Sequence, residues 1–284
     1  MLTPFKESGA VDIRRLQDEL DFQIRSGVDG LCILGGTGES LSLSLEERLA
    51  VVEATMATVE RSIPVIVGCF VPQESEIIDF AQRVQETGAS AIMLTPSPFY
   101  KLTPFHITEL LHRISQQCDI SLVLYNAPRR SGVKLSATDI ETIGNGIPNI
   151  IGVKDAAADI TDFIRMANIL GPHRSLLEGL DDVFLPSLAC GGAGGILALA
   201  SVFPQILVSI YKSWRNGDID GAINQQMAIL PVMDLINTEP MPVLVKEAMA
   251  ITGRPVGPTR APLYRPSDEV IKRLAKVLQQ VQEV

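Results

Sequence analysis

Lys154 is the residue whose type and position suggest the most specific chemistry. It directly follows residues 150–153, an apolar run that is typical of a buried strand. An amine at the end of such a strand is partly desolvated, and desolvation favours the neutral, nucleophilic form. A neutral amine can attack a ketone and form an imine, which accepts electrons during C–C or C–O cleavage. The alternative is a structural lysine paired with Asp155 or Asp182, and on position alone the two interpretations have equal weight.

Other polar groups also stand where predicted strands end. Tyr125 ends an apolar run, and its phenol can transfer protons, although a packed structural tyrosine explains this residue better on its own. The loop of residues 35–40 reads Gly-Gly-Thr-Gly-Glu-Ser, and its backbone N–H groups and Thr hydroxyl suit a carboxylate. Glu39 cannot bind an anion, so we expect it to hold this loop by hydrogen bonds. Arg129 and Arg130 can clamp an anionic substrate, or they form a solvated pair.

Composition limits the classes of partner. The chain of 284 residues carries a formal net charge of −9, which argues against nucleic acid because a phosphate backbone would be repelled. Its four cysteines form no C-x-x-C pair and have no histidine at metal-site spacing, so we expect reduced thiols and no metal. The first residues lack the apolar segment of a signal peptide, and no run is long enough to span a membrane. We therefore expect a cytoplasmic protein without a membrane partner.

The elements that must position these groups alternate between short apolar runs and helix-like stretches. The helix after the first run begins with a capping box, in which Ser44 and Glu47 satisfy each other's backbone N–H groups. The predicted strands are residues 30–35, 64–68, 89–95, 120–125, 150–154, 174–178 and 194–199. This alternation predicts an α/β fold with a parallel sheet, and we favour a TIM (β/α)8 barrel, whose catalytic groups project from the carboxyl ends of the strands.

The two ends of the chain depart from the alternation. An eighth strand should precede the helix predicted for residues 12–27, and only residues 1–5 are left to form it. An open doubly wound sheet is therefore a competing interpretation, although no G-x-G-x-x-G loop opens the chain. After Gly217 the alternation stops, and residues 218–236, 241–252 and 267–284 are predicted to be helices. We thus expect a barrel over residues 1–217, carrying the active site, and a C-terminal all-helical extension over residues 218–284.

Four short motifs in order resemble one known family. They are Thr-Pro-Phe at residues 3–5, Gly-Thr-Gly-Glu-Ser at 36–40, Tyr-Asn-Ala-Pro at 125–128 and Ile-Gly-Val-Lys-Asp at 151–155. With the glycine-rich entry at residues 191–195 and the trailing helices, the chain is similar over nearly its whole length to the dihydrodipicolinate synthase / N-acetylneuraminate lyase family of class I pyruvate-type aldolases. Members normally have an apolar strand before Thr-Pro-Phe, so we expect the natural start to lie upstream of residue 1.

The resemblance implies roles for individual residues. Lys154 would form the Schiff base, Tyr125 would move protons, and Thr37 with neighbouring amides would hold the carboxylate of a 2-oxo acid. Tyr100 matches a tyrosine that a dimer partner inserts near the site. The implied assembly is a homotetramer built from tight dimers, and neither a metal nor an organic cofactor is expected. The candidate catalytic residues are Lys154, Tyr125 and Tyr100, and the candidate substrate-binding residues are Gly36, Thr37, Arg130, Asp181 and Ile196.

Three departures from the family pattern bear on the substrate. Gly36 stands where the synthases usually carry a threonine, whose hydroxyl links two tyrosines in a proton relay. The loop of residues 35–40, which contains Gly36, is similar to that of the keto-deoxy-glucarate dehydratase branch of the family. Residues 179–182, Gly-Leu-Asp-Asp, look like the sequence with which sugar-acid lyases hold substrate hydroxyls. Arg130, however, stands where the synthases bind a substrate carboxylate.

Three hypotheses about function follow. The first is a Schiff-base lyase, an aldolase or a dehydratase, that acts on a 2-oxo acid such as pyruvate or a keto-deoxy sugar acid. The second is dihydrodipicolinate synthase, which condenses pyruvate with aspartate semialdehyde. The third is a non-catalytic 2-oxo-acid-binding protein, which the missing relay hydroxyl at Gly36 suggests. We rank it last because Lys154 and Tyr125 are both present.

Overall fold

The computed structural model describes residues 1–96 and 100–282. The chain forms two compact units. One is the continuous segment Val65–Ile196, and the other combines Met1–Pro64 with Leu197–Val284. The boundary predicted at residue 217 stays a prediction.

The described strands correspond to the seven predicted ones. They are β1 (Leu31–Ile33), β2 (Val65–Cys69), β3 (Ala91–Leu94), β4 (Ser121–Asn126), β5 (Ile150–Asp155), β6 (Ser175–Glu178) and β7 (Gly194–Gly195). From β2 to β7, each strand is parallel to the next one along the chain. A doubly wound sheet would reverse its strand order at a switch point. The sequential order of these six strands therefore excludes that competing interpretation.

The helices predicted for residues 12–27, 218–236 and 241–252 and the one after Ser44 are present, and further helices follow the later strands. They are α1 (Ile13–Arg25), α2 (Leu45–Val59), α3 (Glu74–Glu86), α4 (Pro104–Gln117), α5 (Pro128–Ser131), α6 (Ala137–Gly146), α7 (Ile160–Leu170), α8 (Phe184–Ala189), α9 (Pro204–Arg215), α10 (Ile219–Ile236), α11 (Val243–Ile251) and α12 (Asp268–Gln282). The capping box of α2 forms as predicted, because the Ser44 hydroxyl accepts from the Glu47 N–H and the Glu47 carboxylate accepts from the Ser44 N–H. The last two residues of the final predicted helix lie outside the described residues.

The structure differs from the prediction at two strands. The strand predicted over residues 194–199 ends at Gly195, and a 3-10 turn follows at Leu199–Ser201. Residues 1–5 form no strand, and Phe5 makes an isolated antiparallel bridge with Val11. The amino terminus of Met1 instead donates to the carbonyl oxygen of Cys32 on β1, at 2.8 Å. The predicted N-terminal strand is thus replaced by a segment held through individual hydrogen bonds.

The loop between β1 and α2 is held by residues from both ends of the chain. The Thr3 hydroxyl donates to the Gly38 carbonyl oxygen at 2.6 Å. Glu39, which has a left-handed backbone conformation (φ 52°), pairs through Oε1 with Lys246 Nζ at 2.6 Å. Its Oε2 accepts from the Arg260 backbone N–H at 3.0 Å. The expectation that Glu39 holds this loop by hydrogen bonds is thereby confirmed.

Lys246, on α11, is as buried as the carboxylate that it meets. Its ammonium also donates to the Pro258 carbonyl oxygen at 2.8 Å and lies 4.2 Å from the centroid of the Phe5 ring. Burial lowers the pKa of Lys246, and the nearby Glu39 carboxylate opposes this shift. Removal of one partner of such a buried pair strongly destabilises the folded protein, because the remaining charge stays buried without compensation.

Lys246→Met should therefore lower the free energy of unfolding by about 3–5 kcal/mol, since Glu39 would remain buried without its cation. Urea denaturation measures this loss. The matched control is Arg83→Met, which breaks the exposed Arg83–Asp79 pair on α3 and should cost less than about 1 kcal/mol. Equal losses in the two variants would contradict a structural role for the buried pair.

Candidate active site

Lys154 and Tyr125 are direct neighbours on adjacent parallel strands. Their Cα atoms are register partners near the carboxyl ends of β5 and β4. Because opposed residues in a sheet point to the same face, both side chains leave the sheet on one side. The Lys154 Nζ atom lies 4.5 Å from the centroid of the Tyr125 ring. The structure therefore brings together the two groups for which the sequence predicted imine and proton chemistry.

An aromatic side chain packs near the phenol of this pair. Tyr125 is buried and its ring centroid lies 6.0 Å from that of Phe70, which follows β2. Lys154 is half-buried. The Lys154 side chain is therefore partly accessible, as a nucleophilic amine must be.

Gly179 provides space for the Lys154 side chain. A Cβ atom added at Gly179 would lie 2.8 Å from Lys154 Cε and 2.9 Å from the Asp155 carbonyl oxygen. The Gly179 N–H donates to that same carbonyl oxygen at 2.6 Å. Gly179 thus lies close to both the β5 backbone and the Lys154 side chain. This role of Gly179 was not predicted, and its only signal in the sequence is a glycine directly after the predicted strand end at Glu178.

A second polar row lies one residue further along the same strands. Asn126, Asp155 and Glu178 end β4, β5 and β6, and all three are buried. Asn126 Nδ2 donates to Asp155 Oδ1 at 2.7 Å, and Glu178 Oε1 accepts from the N–H groups of Gly179 (2.8 Å) and Leu180 (2.9 Å). Residues alternate between the faces of a strand, so this row lies on the face opposite Tyr125 and Lys154.

Burial dominates the electrostatics of this row. It raises the pKa of Glu178 to about 8, although the two backbone N–H donors act in the opposite direction. Burial likewise raises the pKa of Asp155 to about 6, against the hydrogen bonds from the Ala157 N–H and the Asn126 amide. At neutral pH the Glu178 side chain is therefore mostly uncharged, and the row carries less negative charge than its composition suggests.

The other predicted site residues are distributed over both units. Within the segment of residues 65–196, Arg130 is exposed on α5, Tyr100 is 64% exposed, and Asp181 is buried in a 3-10 turn. Ile196 is half-buried, and its N–H donates to the Glu178 carbonyl oxygen at 2.8 Å. Gly36 and Thr37 lie in the other unit, in the loop between β1 and α2.

The grouping of side chains and the composition of the helices limit metal binding and membrane insertion. Within residues 1–96 and 100–282, no three His, Cys, Asp or Glu side chains are grouped so that they could hold a metal ion. The four cysteines are free thiols, and two of them, Cys69 and Cys118, are buried. Among the described helices, none has both the length and the apolar composition needed to cross a bilayer.

Comparisons with known proteins agree on one family. The model of the dihydrodipicolinate synthetase family matches residues 1–281. A 4-hydroxy-tetrahydrodipicolinate synthase from Lachnoclostridium phytofermentans is 30% identical, over 99% of this chain and 96% of the relative. YagE of Escherichia coli K12, whose name marks it as a candidate 2-dehydro-3-deoxy-D-gluconate aldolase, is 30% identical over 98% of this chain and 93% of its own length. The chain belongs to the dihydrodipicolinate synthetase family.

The solved structure of YagE in complex with pyruvate matches this chain with a TM-score of 0.94. It is 28% identical, and the match covers 99% of this chain and 96% of the YagE chain. The predicted fold class, a TIM barrel with a C-terminal helical extension, is thereby confirmed. The chain is an enzyme of this lyase family, and its class is that of the Schiff-base, pyruvate-dependent lyases.

Gly179→Ala should displace the Lys154 side chain, because the new methyl group would overlap both Cε and the Asp155 carbonyl oxygen. We expect a loss of about 1–3 kcal/mol in the free energy of unfolding and a longer Lys154 Nζ to Tyr125 ring distance in a crystal structure. Gly194→Ala on β7 is the control, since its nearest neighbour, Leu177 Cδ2, would be 3.7 Å from the added Cβ. An unmoved Nζ atom in Gly179→Ala would contradict the proposed fit.

Glu178→Gln should make stability less dependent on pH. The folded-state pKa is raised to about 8, so the wild-type protein loses stability as pH rises from about 4.5 through 8. Glutamine keeps the acceptor for both N–H groups but carries no charge, and its variant should gain a few kcal/mol over wild type at pH 9 relative to pH 4. Urea unfolding at both pH values measures this. The exposed Glu141→Gln serves as control, and a pH-independent difference for Glu178→Gln would contradict the assignment.

Proposed function

We propose that this chain is a Schiff-base lyase in which Lys154 forms an imine with a 2-oxo acid such as pyruvate or a keto-deoxy sugar acid. The observation that carries the proposal is the position of Lys154 Nζ, 4.5 Å from the Tyr125 ring at the ends of neighbouring strands. Family membership supports it, since the solved YagE structure contains pyruvate. A structural lysine would have an acidic partner, and within residues 1–96 and 100–282 Lys154 forms no ion pair.

The proposed chemistry begins with the neutral amine. Lys154 Nζ attacks the ketone carbon and forms a C–N bond as the C=O π bond breaks; the oxygen takes up a proton while the nitrogen loses one, which gives a neutral carbinolamine. The resulting carbinolamine takes up a second proton on its hydroxyl and loses it as water, which leaves a protonated imine. Tyr125, as the adjacent phenol, donates and recovers protons in these steps.

Bond cleavage then uses the protonated imine as the electron acceptor. In a keto-deoxy sugar acid, a base removes the proton of the C4 hydroxyl, the C3–C4 bond breaks and its electron pair moves toward the imine nitrogen. The products are an aldehyde and an enamine, which takes up a proton at C3. Hydrolysis then returns pyruvate and the free amine. A dehydratase would instead expel a hydroxyl group from the same kind of intermediate.

Gly36 favours the sugar-acid branch over the synthase. Its position carries no hydroxyl, whereas the synthase pattern has a threonine there to link two tyrosines. We propose that Thr37 and the neighbouring amides bind the 2-oxo-acid carboxylate, with Asp181 and Ile196 as further substrate-binding residues. These roles come from the resemblance of the sequence to the family.

Dihydrodipicolinate synthase remains the second candidate function, for a specific reason. Arg130 is present where the synthases bind a substrate carboxylate, and it is exposed on α5. Several similar relatives are named 4-hydroxy-tetrahydrodipicolinate synthase, at 30% identity over nearly the whole chain. In this function, the enamine formed from pyruvate would attack aspartate semialdehyde.

We further propose a cytoplasmic homotetramer built from tight dimers. Two aromatic side chains are exposed near the start of α4: Tyr100 lies before this helix, and Phe105 lies in its first turn. Exposed aromatic side chains of this kind support an interface between subunits. In the proposed dimer, Tyr100 would approach the partner's active site. Size-exclusion chromatography with light scattering measures the oligomeric state.

Reduction with sodium borohydride in the presence of pyruvate should attach a single pyruvate-derived group to the Lys154 peptide. Mass spectrometry of the digested protein measures the adduct, and Lys154→Ala should remove it without loss of fold. Lys246, the buried lysine that is already bonded to Glu39 and Pro258, serves as an internal control and should stay unmodified. No adduct with any 2-oxo acid, or an adduct on Lys246 instead, would overturn the proposal.

A substrate panel then separates the candidate functions. Pyruvate is supplied with a series of aldehydes, including aspartate semialdehyde, and keto-deoxy sugar acids are tested alone. Release of pyruvate from a sugar acid supports the lyase, whereas turnover with aspartate semialdehyde supports the synthase. An adduct on Lys154 without any turnover would support the binding protein.

A further inference from the structure

We propose that Asn126 and Asp155 are positioning residues, whose side-chain hydrogen bond fixes the spacing between Tyr125 and Lys154 from the reverse face of the sheet. Each of the two stands directly after one of the reacting residues in the sequence, and Asn126 and Asp155 are themselves register partners. The catalytic part of this inference rests on the function proposed above, whereas its geometric part does not.

The hydrogen bond between Asn126 and Asp155 lies at the ends of the two strands, where it directly affects the distance between them. β4 and β5 end at Asn126 and Asp155, so the backbone pairing of the two strands is about to stop at this point. The Asn126 amide crosses the gap and donates to Asp155 Oδ1 at 2.7 Å. Because both side chains are buried, water does not compete well for this hydrogen bond, and its loss would leave an unsatisfied polar group.

Asn126 also ties these strand ends to a third part of the chain. Its Nδ2 donates to the Leu135 carbonyl oxygen at 2.9 Å, and its Oδ1 accepts from the Leu135 N–H at 3.0 Å. This pair of bonds closes the segment of residues 127–134, which contains Arg130. The Asn126 side chain therefore holds both the distance between the strands and the end of this loop at Leu135.

Asp155 is held from its other side as well. Its Oδ2 accepts from the Ala157 N–H at 3.3 Å, in the turn that follows β5. The carboxylate thus has one hydrogen-bond partner on β4 and one in its own turn, and neither is the Lys154 side chain. Asp155 acts on the amine through the backbone that they share, so we call it a positioning residue and not a catalytic one.

The molecule contains a matched control at the other end of the same strands. Asn149, directly before β5, donates through Nδ2 to the Ile120 carbonyl oxygen at 3.0 Å and accepts from the Ser115 hydroxyl at 2.7 Å. It therefore links the same two strands with the same type of side chain, far along them from Tyr125 and Lys154. Loss of its amide tests the effect of a broken strand link without a change at the carboxyl ends.

The experiment measures the rate of imine formation on Lys154, by borohydride trapping at increasing pyruvate concentration. Asp155→Ala and Asn126→Ala should lower the rate at saturating pyruvate by about ten- to a hundredfold, since a displacement of about 1 Å has effects of that size. The pyruvate concentration that gives half the maximal rate should change little. Asp155→Asn should keep most of the rate, because its amide oxygen still accepts from Asn126 and only the longer hydrogen bond from the Ala157 N–H is lost. Asn149→Ala should match wild type.

Several results would overturn the proposal. These are a wild-type rate in Asp155→Ala, an equal loss in Asn149→Ala, or an Asp155→Asn variant as slow as Asp155→Ala, since the charge would then matter more than the bond. If Asn126→Ala does not fold, the two Asp155 variants decide. Crystal structures decide independently of catalysis: the Lys154 Nζ to Tyr125 ring distance should exceed 4.5 Å in Asp155→Ala and stay unchanged in Asp155→Asn. If even wild type forms no imine, the proposed function fails, while the structures still test the positioning.

Discussion

The pairing of two parallel strands at their carboxyl ends is the constraint on which the candidate site depends. The register of β4 and β5 makes Tyr125 and Lys154 direct neighbours, and the pleat sends both side chains to one face. A shift of the pairing by one residue would send the amine and the phenol to opposite faces. The same pleat sends Asn126, Asp155 and Glu178 to the reverse face, where they are buried.

This division of faces also separates two electrostatic environments. A charged carboxylate beside Lys154 would favour the ammonium over the nucleophilic amine. The nearest buried carboxyl groups along the sheet instead lie on the reverse face, and burial holds the pKa of Glu178 at about 8. Near neutral pH Glu178 therefore contributes little negative charge, whereas Asp155, with a pKa of about 6, is mostly ionised on that reverse face.

Local signals predicted most of the fold and the central part of the site. The capping box at Ser44 and Glu47 depends on residues three apart, and the position of Lys154 depends on the apolar run before it. What the sequence did not predict depends on contacts between distant segments. Nothing near Glu39 indicates that its partners are Lys246 and Arg260, and nothing in the Gly-Leu-Asp-Asp run shows that Gly179 packs against Lys154. The segment before α1 was also predicted imperfectly, because five residues are too few for periodicity to distinguish a strand from a tethered coil.

The burial of Glu39 against Lys246 has a consequence for the order in which the protein is made. Ribosomes release the amino-terminal part first, and domains generally fold as their residues emerge. The unit of residues 65–196 is continuous, so all of its partners have been synthesised by residue 196. The loop that contains Glu39, in contrast, forms its buried ion pair with Lys246, which is synthesised 207 residues later (246 − 39 = 207). During translation, that loop and its acidic side chain therefore lack their buried cationic partner until Lys246 has left the exit tunnel.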